Sequence, residues 1–230
     1  MTDKIIVNNK NMTDQIMFKL NKFDNEFTKE ELANIKELVI DYNQESNDIF
    51  LSNLPKFDNI ESLTIRNEYI FNSDYNYFLE LKNINTLVFD NCEFEDADLI
   101  ASLKLKSLSL INCHIYNYSF ISLLFDIEEL TIINGKISNS KINNLNNLHY
   151  LQLSHSHILD SEKTIKNINL MELHVDNTNI IDLSFIKNLP NLKIISIDKK
   201  QYNNNKNLID NSKHIKTNIV SNVGVDNYEI

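Results

Sequence analysis

The stretch Leu105–Ile115, LKSLSLINCHI, sets the frame for the whole chain. Its apolar residues stand at the first, fourth, sixth and eleventh places, and the frame returns with its fourth place at Leu38, Leu63, Leu87, Leu108, Leu130, Leu151, Leu173 and Ile195. Subtracting each number from the next gives spacings of 25, 24, 21, 22, 21, 22 and 22. A period in this range marks a solenoid, because a unit so short cannot bury its own apolar face and must stack on copies of itself. The copies read IKELVIDYN, IESLTIRNE, INTLVFDNC, LKSLSLINC, IEELTIING, LHYLQLSHS, LMELHVDNT and LKIISIDKK. Apolar fourth and sixth places between polar neighbours predict one short strand per copy. Those two side chains point inward, and the third, fifth, seventh and eighth point out from a parallel ladder.

Between the strands, segments such as DADLIASLK, NYSFISLLF and DLSFIKNLP carry apolar spacings of three and four, which suit one or two helical turns. The two longer early repeats have room for fuller helices, and residues 74–82, DYNYFLELK, are the best candidate. Residues 1–34 lack the frame and are predicted to form an N-terminal helical cap. Thr13 is placed to cap a short helix presenting Ile16, Met17 and Leu20, and Thr28 with Glu31 has the spacing of a capping box. The repeats occupy residues 35–202. Residues 203–230 read as a C-terminal cap and tail, with a helical turn at Leu208 and Ile209, an edge strand in IKTNIV and a patternless VGVDNYEI. Caps are a physical requirement, since an open end would expose both the apolar cross-section and an unpaired strand edge.

Composition narrows the function classes. With 230 residues the repeats leave no sequence for a second large domain. Two glycines in the whole chain remove the material for a phosphate-cradling loop, and no cofactor is implied. A net charge of -10, with Arg66 the one arginine, opposes a nucleic-acid backbone as partner. The N-terminus MTDKIIVNNKNMTDQ lacks the apolar core of a secretory signal, and no later stretch approaches a membrane span. These features predict a cytoplasmic, monomeric protein.

The repeat NIIDLSFIKNLPNLKIISID, from Asn179 to Asp198, resembles the internalin-like bacterial leucine-rich repeats in phrase order and period, and FTKEELANIKELVI, from Phe27 to Ile40, looks like the helical cap that leads into such arrays. The resemblance spans roughly residues 27–202. It implies an α/β solenoid: a curved right-handed leucine-rich-repeat array with a parallel concave sheet of about eight strands and short helical return segments. Function in such a scaffold lies in exposed residues that are free to vary. The chain departs from the family at the ninth place, usually Asn or Cys, which here holds Asn43, Glu68, Cys92, Cys113, Gly135, Ser156, Thr178 and Lys200. Four asparagines, Asn67, Asn91, Asn112 and Asn134, sit one place earlier. The family's secretion leader and wall-anchoring segment have no counterpart here, which argues against adhesion at a host cell surface.

Cys92 and Cys113 fall at the same place of adjacent copies, where backbones stack about 4.8 Å apart, and are read as buried structural thiols rather than a bridging pair. His155, His157 and His174 occupy different places of the frame and complete no four-ligand metal spacing, so no metal is expected. Nothing holds a Ser, His and Asp together as a triad, and the chain is read as non-catalytic. The outward columns remain. Their acidic residues Glu37, Asp41, Asp90, Glu129, Glu172, Asp176 and Asp198 face Arg66 and Lys199. Ile111 and Ile133, with Val88 and Tyr150 near them, form an apolar centre. The predicted protein-binding set is Arg66, Val88, Asp90, Ile111, Glu129, Ile133, Tyr150, His155, Glu172, His174 and Asp176, and the partner is a protein of basic character. An intracellular inhibitor or immunity-type protein for a basic toxin or enzyme is one alternative, and a structural or self-associating repeat protein another. Convex positions such as Phe120 and Phe125 are the competing surface.

Overall fold

The computed structural model describes residues 4–7, 10–41, 51–162 and 164–221. Asn43 and the tail 223–230 lie outside the described residues. The chain divides into two compact units, Met1–Phe120 and Ile121–Ile230.

In the first unit, helix α1 (Lys10–Leu20) buries Met12, Thr13 and Ile16. Thr13 lies inside this helix and does not cap it; its hydroxyl donates to the Val7 carbonyl at 2.9 Å. The capping box forms as predicted at α2 (Lys29–Ala33): the Glu31 N–H donates to Thr28 Oγ1 at 3.2 Å and the Thr28 N–H to Glu31 Oε2 at 2.8 Å. Strands β1 (Glu37–Asp41), β2 (Ser62–Arg66), β3 (Thr86–Asp90) and β4 (Ser107–Ile111) then stack in parallel, with Leu38↔Leu63↔Leu87↔Leu108 in register. Gln15 from α1 closes the outer edge of β1, its side-chain oxygen accepting the Val39 N–H at 3.1 Å and its amide donating to the Val39 carbonyl. An amide side chain thus does what a neighbouring strand would do, and blocks edge pairing. Of the two longer repeats, one carries the expected helix, α3 (Tyr75–Glu80). The other returns through a 3-10 segment, Leu51–Lys56, where Pro55 supplies no N–H for an α-helical ladder.

In the second unit β5 (Glu129–Ile133), β6 (Tyr150–Gln152), β7 (Glu172–His174), β8 (Ile194–Asp198) and β9 (Lys216–Val220) pair in parallel. Helix α4 (Asn139–Ile142) and the 3-10 turn Ser184–Asn188 serve as returns. The C-terminal cap starts inside the span read as repeats: Asp198 and Gln201 form a capping box that opens α5 (Lys199–Asn204), followed by α6 (Lys206–Asn211) with Ile209 buried. β9, from the predicted edge strand, continues the parallel ladder. Among the described residues the units hold four and five ladder strands, against about eight expected. No helix among them is long and apolar enough to cross a membrane.

Inward places behave alike in both units. Leu38, Ile40, Leu63, Ile65, Leu87, Phe89, Leu108 and Leu110 in the first, and Leu130, Ile132, Leu151, Leu153, Leu173, Val175, Ile195 and Ile197 in the second, are each 2% exposed or less. At roughly 1.5 to 3 kcal/mol per fully buried large side chain, these columns dominate the stabilisation.

Polar side chains then tie coil to coil. In the second to seventh copies the eighth place ends the strand in the left-handed region: Asn67, Asn91, Asn112, Asn134, His155 and Asn177 have φ between 53° and 61°. Asn tolerates that region better than other residues bearing a Cβ, which explains the asparagines one place ahead of the family pattern. At the ninth place Cys92, Cys113 and Ser156 donate to the sixth-place carbonyls one coil earlier, of Ile65, Phe89 and Ile132, at 3.4, 3.4 and 2.9 Å. Gln201 does the same for Val175 at 2.8 Å. A separate asparagine ladder occupies the residue before the first place. The amides of Asn59, Asn83, Asn147, Asn169 and Asn191 donate to the carbonyls of Ala33, Asp58, Phe125, Asn146 and Ile168, at 2.7 to 3.0 Å. Each bond satisfies a backbone acceptor that a turn would otherwise leave to water.

Candidate interaction surface

Because the fourth and sixth places are spent on the core, the third and fifth are left on the opposite side of the strands, held by a ladder that does not need them. In the second unit the third places form the row Glu129↔Tyr150↔Glu172↔Ile194↔Lys216, each residue directly opposite the next. The fifth places form Thr131↔Gln152↔His174↔Ser196↔Asn218 beside it. Tyr150 therefore stands between two carboxylates at one strand spacing on either side, about 4.8 Å. Its ring meets the His174 ring at 5.4 Å, and its hydroxyl donates to Gln152 Oε1 at 2.9 Å. Partial burial, with the Glu172 and Glu129 carboxylates beside it, pushes the Tyr150 phenol above its ordinary range. His174 Nε2 lies 2.9 Å from Glu172 Oε1, and His149 Nε2 lies 4.0 Å from Glu129 Oε1. Glu129, Tyr150, Glu172 and His174 are thus brought together, and His149 joins them from the second place of its copy.

Asp176 and His155 of the predicted set, and Asp198 of the acidic columns, stand elsewhere. Asp176 is not an exposed rim charge: it is 6% exposed, with Oδ1 accepting the Ser154 hydroxyl at 2.8 Å and Oδ2 the Asn177 amide at 3.2 Å. Asp198 is likewise buried, accepting the Asn177 and Gln201 N–H groups while capping α5. Seventh-place carboxylates at the end of the array are used to close turns, which outward alternation alone does not reveal. His155 is exposed but stands in the left-handed turn column, with Nε2 3.4 Å from the Asn177 amide, and so lies off the strand face. Ile133 is half-buried at the end of β5.

The first unit presents a different face. Its third places are Glu37, Ser62, Thr86 and Ser107, its fifth Val39, Thr64, Val88 and Ser109, and its seventh Asp41, Arg66, Asp90 and Ile111. Val88 and Ile111 are half-buried among small neighbours, and Arg66 Nε lies 3.6 Å from Asp90 Oδ2. The predicted cation and one predicted acid of this unit therefore pair with each other. Of the convex alternatives, Phe120 is fully buried and belongs to the core, whereas Phe125 is 63% exposed.

Among the described residues no group of three or more His, Cys, Asp or Glu side chains is arranged to hold a metal ion. A cavity of about 850 Å³ beside the C-terminal cap is lined by Lys187, Lys206 and asparagines, and holds no carboxylate, imidazole or thiol for acid–base or nucleophilic work.

No family model matches the sequence, and no curated protein matches it. Among solved structures the chain is similar to internalin C2 from Listeria monocytogenes, with a TM-score of 0.67 and 18% identity over 96% of this chain and 98% of that one. It also aligns with internalin F from the same organism, with a TM-score of 0.46 and 19% identity over 94% and 91% of the two chains. The chain has a leucine-rich-repeat fold like that of internalin C2.

Proposed function

We propose that the chain is a non-catalytic protein-binding module, and that its partner docks on the outward strand face and presents a lysine or arginine to the Glu129–Tyr150–Glu172 row. The observation that carries this reading is the register that sets one aromatic ring between two carboxylates on adjacent strands. Two anions and a π-face suit an ammonium or guanidinium group. Strand positions are ordered before binding, so the partner's arrival costs little side-chain entropy there. The face is open: Glu129 is exposed, and Tyr150 and Glu172 are half-buried. Ile133, half-buried at the end of β5, serves as an apolar contact of the same unit, while Arg66, Val88, Asp90 and Ile111 lie on the outward side of the first unit.

The test is an affinity measurement with the partner captured from its native extract. Replacing Glu129 and Glu172 together by Gln should slow association and flatten its dependence on salt, because exposed charges act over about 8 Å at physiological ionic strength. Ile133→Lys should weaken binding by roughly 1 to 2 kcal/mol with an unchanged melting temperature. If both variants bind as the parent does, the strand face is not the site. An inhibitor of a basic toxin or enzyme is a special case of this reading, favoured by the same charge. Light scattering that remained monomeric across a concentration range would count against self-association.

A further inference from the structure

Cys92 and Cys113 are directly opposite one another across the ladder. The flanking pairs Asp90↔Ile111 and Glu93↔His114 hold the register on both sides, and the His114 N–H donates to the Cys92 carbonyl at 2.9 Å. Backbones opposed in this way stand about 4.8 Å apart, inside the Cα range that a disulfide spans. The two thiols are free, and each donates to backbone carbonyls, Cys92 to Ile65 and Cys113 to Phe89. Both are buried, Cys92 at 2% and Cys113 at 8% exposure, but Cys92 lines a cavity of about 290 Å³ formed with Asn67, Glu68, Asn91, Glu93 and His114, and Cys113 does not line it.

We propose that this pair is a site of covalent oxidation by small hydroperoxides, with Cys92 as the attacking sulfur and Cys113 as the resolving one. The Cys92 thiolate attacks one peroxide oxygen, forming S–O and breaking O–O, and the departing hydroxide or alkoxide takes up a proton. The Cys113 sulfur then attacks the Cys92 sulfenic sulfur, forming S–S and breaking S–O, and water leaves with the Cys113 proton. Two electrons pass from the dithiol to the peroxide. The cavity beside Cys92, which admits a small peroxide to that sulfur, supports this order. The neighbouring Cys113 thiol outweighs burial and holds Cys92 below its ordinary range, while the same contact and burial push Cys113 up. Bridging also withdraws both sulfurs from the Ile65 and Phe89 carbonyls, so it alters how three successive coils are tied.

The experiment treats the folded full-length chain with hydrogen peroxide and reads intact mass, a non-reducing gel and a peptide map. The expected product is monomeric, two hydrogens lighter, and yields one Cys92–Cys113 cross-linked peptide. Cys113→Ser should trap a sulfenic acid at Cys92 that dimedone labels, and Cys92→Ser should leave Cys113 unlabelled. Equal labelling in both single variants, a sulfinic acid without a cross-link, or an unmodified folded chain with both thiols titratable after denaturation would each overturn the proposal.

Discussion

The two units share one frame inward and differ outward. Every fourth and sixth place is apolar and buried in both, yet the third and fifth places are Ser, Thr and Val over most of the first unit, and Glu, Tyr, Gln and His at the heart of the second. Burial fixes the first set of positions because a polar side chain there would lose its water with nothing in return. The second set is free of that constraint, and its chemistry is where a partner can be specified. The ninth place shows the same freedom under a weaker rule: Cys in the first unit and Ser in the second make the same bond to a sixth-place carbonyl.

Equivalence of the inward frame gives the largest expected effect. Leu130→Asp and Leu108→Asp should be similarly destructive, each losing about 1.5 to 3 kcal/mol of burial and adding the cost of an unpaired buried charge. Thermal melting followed by circular dichroism checks this; a parent-like melt for either variant would mean that the frame is misplaced in that unit.

Next comes a cap in the second unit. Asp160, from one coil, caps the start of α4 in the coil before, accepting from the Ser138 hydroxyl and from the Asn139 and Ser140 N–H groups. Burial alone would raise its carboxyl, but these donors, with the Ser140 hydroxyl, hold it down to about 2. Because the folded value is depressed, its contribution is complete above the ordinary carboxylate range near 4 and is lost as pH falls towards 2. Asp160→Ala should cost about 1 to 2 kcal/mol at neutral pH, as lost helix caps do. The difference from the parent in urea midpoint should shrink across that acid window; a constant difference would mean that Asp160 acts through packing.

A smaller effect is expected from the asparagine ladder. Asn169→Ala removes an amide that bonds the Asn146 carbonyl at 2.7 Å on an exposed rim, and should cost about 1 kcal/mol or less in denaturant titration. Asn59→Ala in the first unit should cost a similar amount, since Asn59 makes the equivalent bond to Ala33. A large inequality would separate the two units in their stacking as well as in their faces.

Most of the scaffold was legible because hydrophobic period reports burial directly: Leu38 through Ile195 fell where their spacing put them, and Thr28 with Glu31 had the spacing of the cap that they form. Thr13 misled because a hydroxyl that caps a helix and one that bonds backwards from inside it look alike in sequence. Asp176 and Asp198 misled for a related reason. Period two says that a seventh place faces outward, but not that the Ser154 hydroxyl and the Asn177 side-chain amide will claim the Asp176 carboxylate, or the Asn177 and Gln201 N–H groups that of Asp198. The asparagines at the eighth place carried a signal that went unread, since repeated Asn just past a strand is what a left-handed turn selects. For the strand face, spacing placed Glu129, Tyr150 and Glu172 in one row, while the pairing of Arg66 with Asp90 depended on side-chain reach across strands, which one sequence does not encode locally.

The comparison between the two faces can be put to one measurement. Thr64 and Thr131 are the same residue at the fifth place of their copies, both half-buried and outward, one in each unit. A benzophenone side chain is introduced at Thr131, at Thr64 or at the exposed Phe125 of a return segment, and each full-length variant is irradiated in native extract. The expected result is one cross-linked partner from position 131 that disappears when Glu129 and Glu172 are both Gln, with weaker or no labelling from position 64 and none from 125. Labelling from position 125 alone, or labelling at 131 that persists in the double Gln variant, would contradict the assignment of binding to the Glu129–Tyr150–Glu172 face.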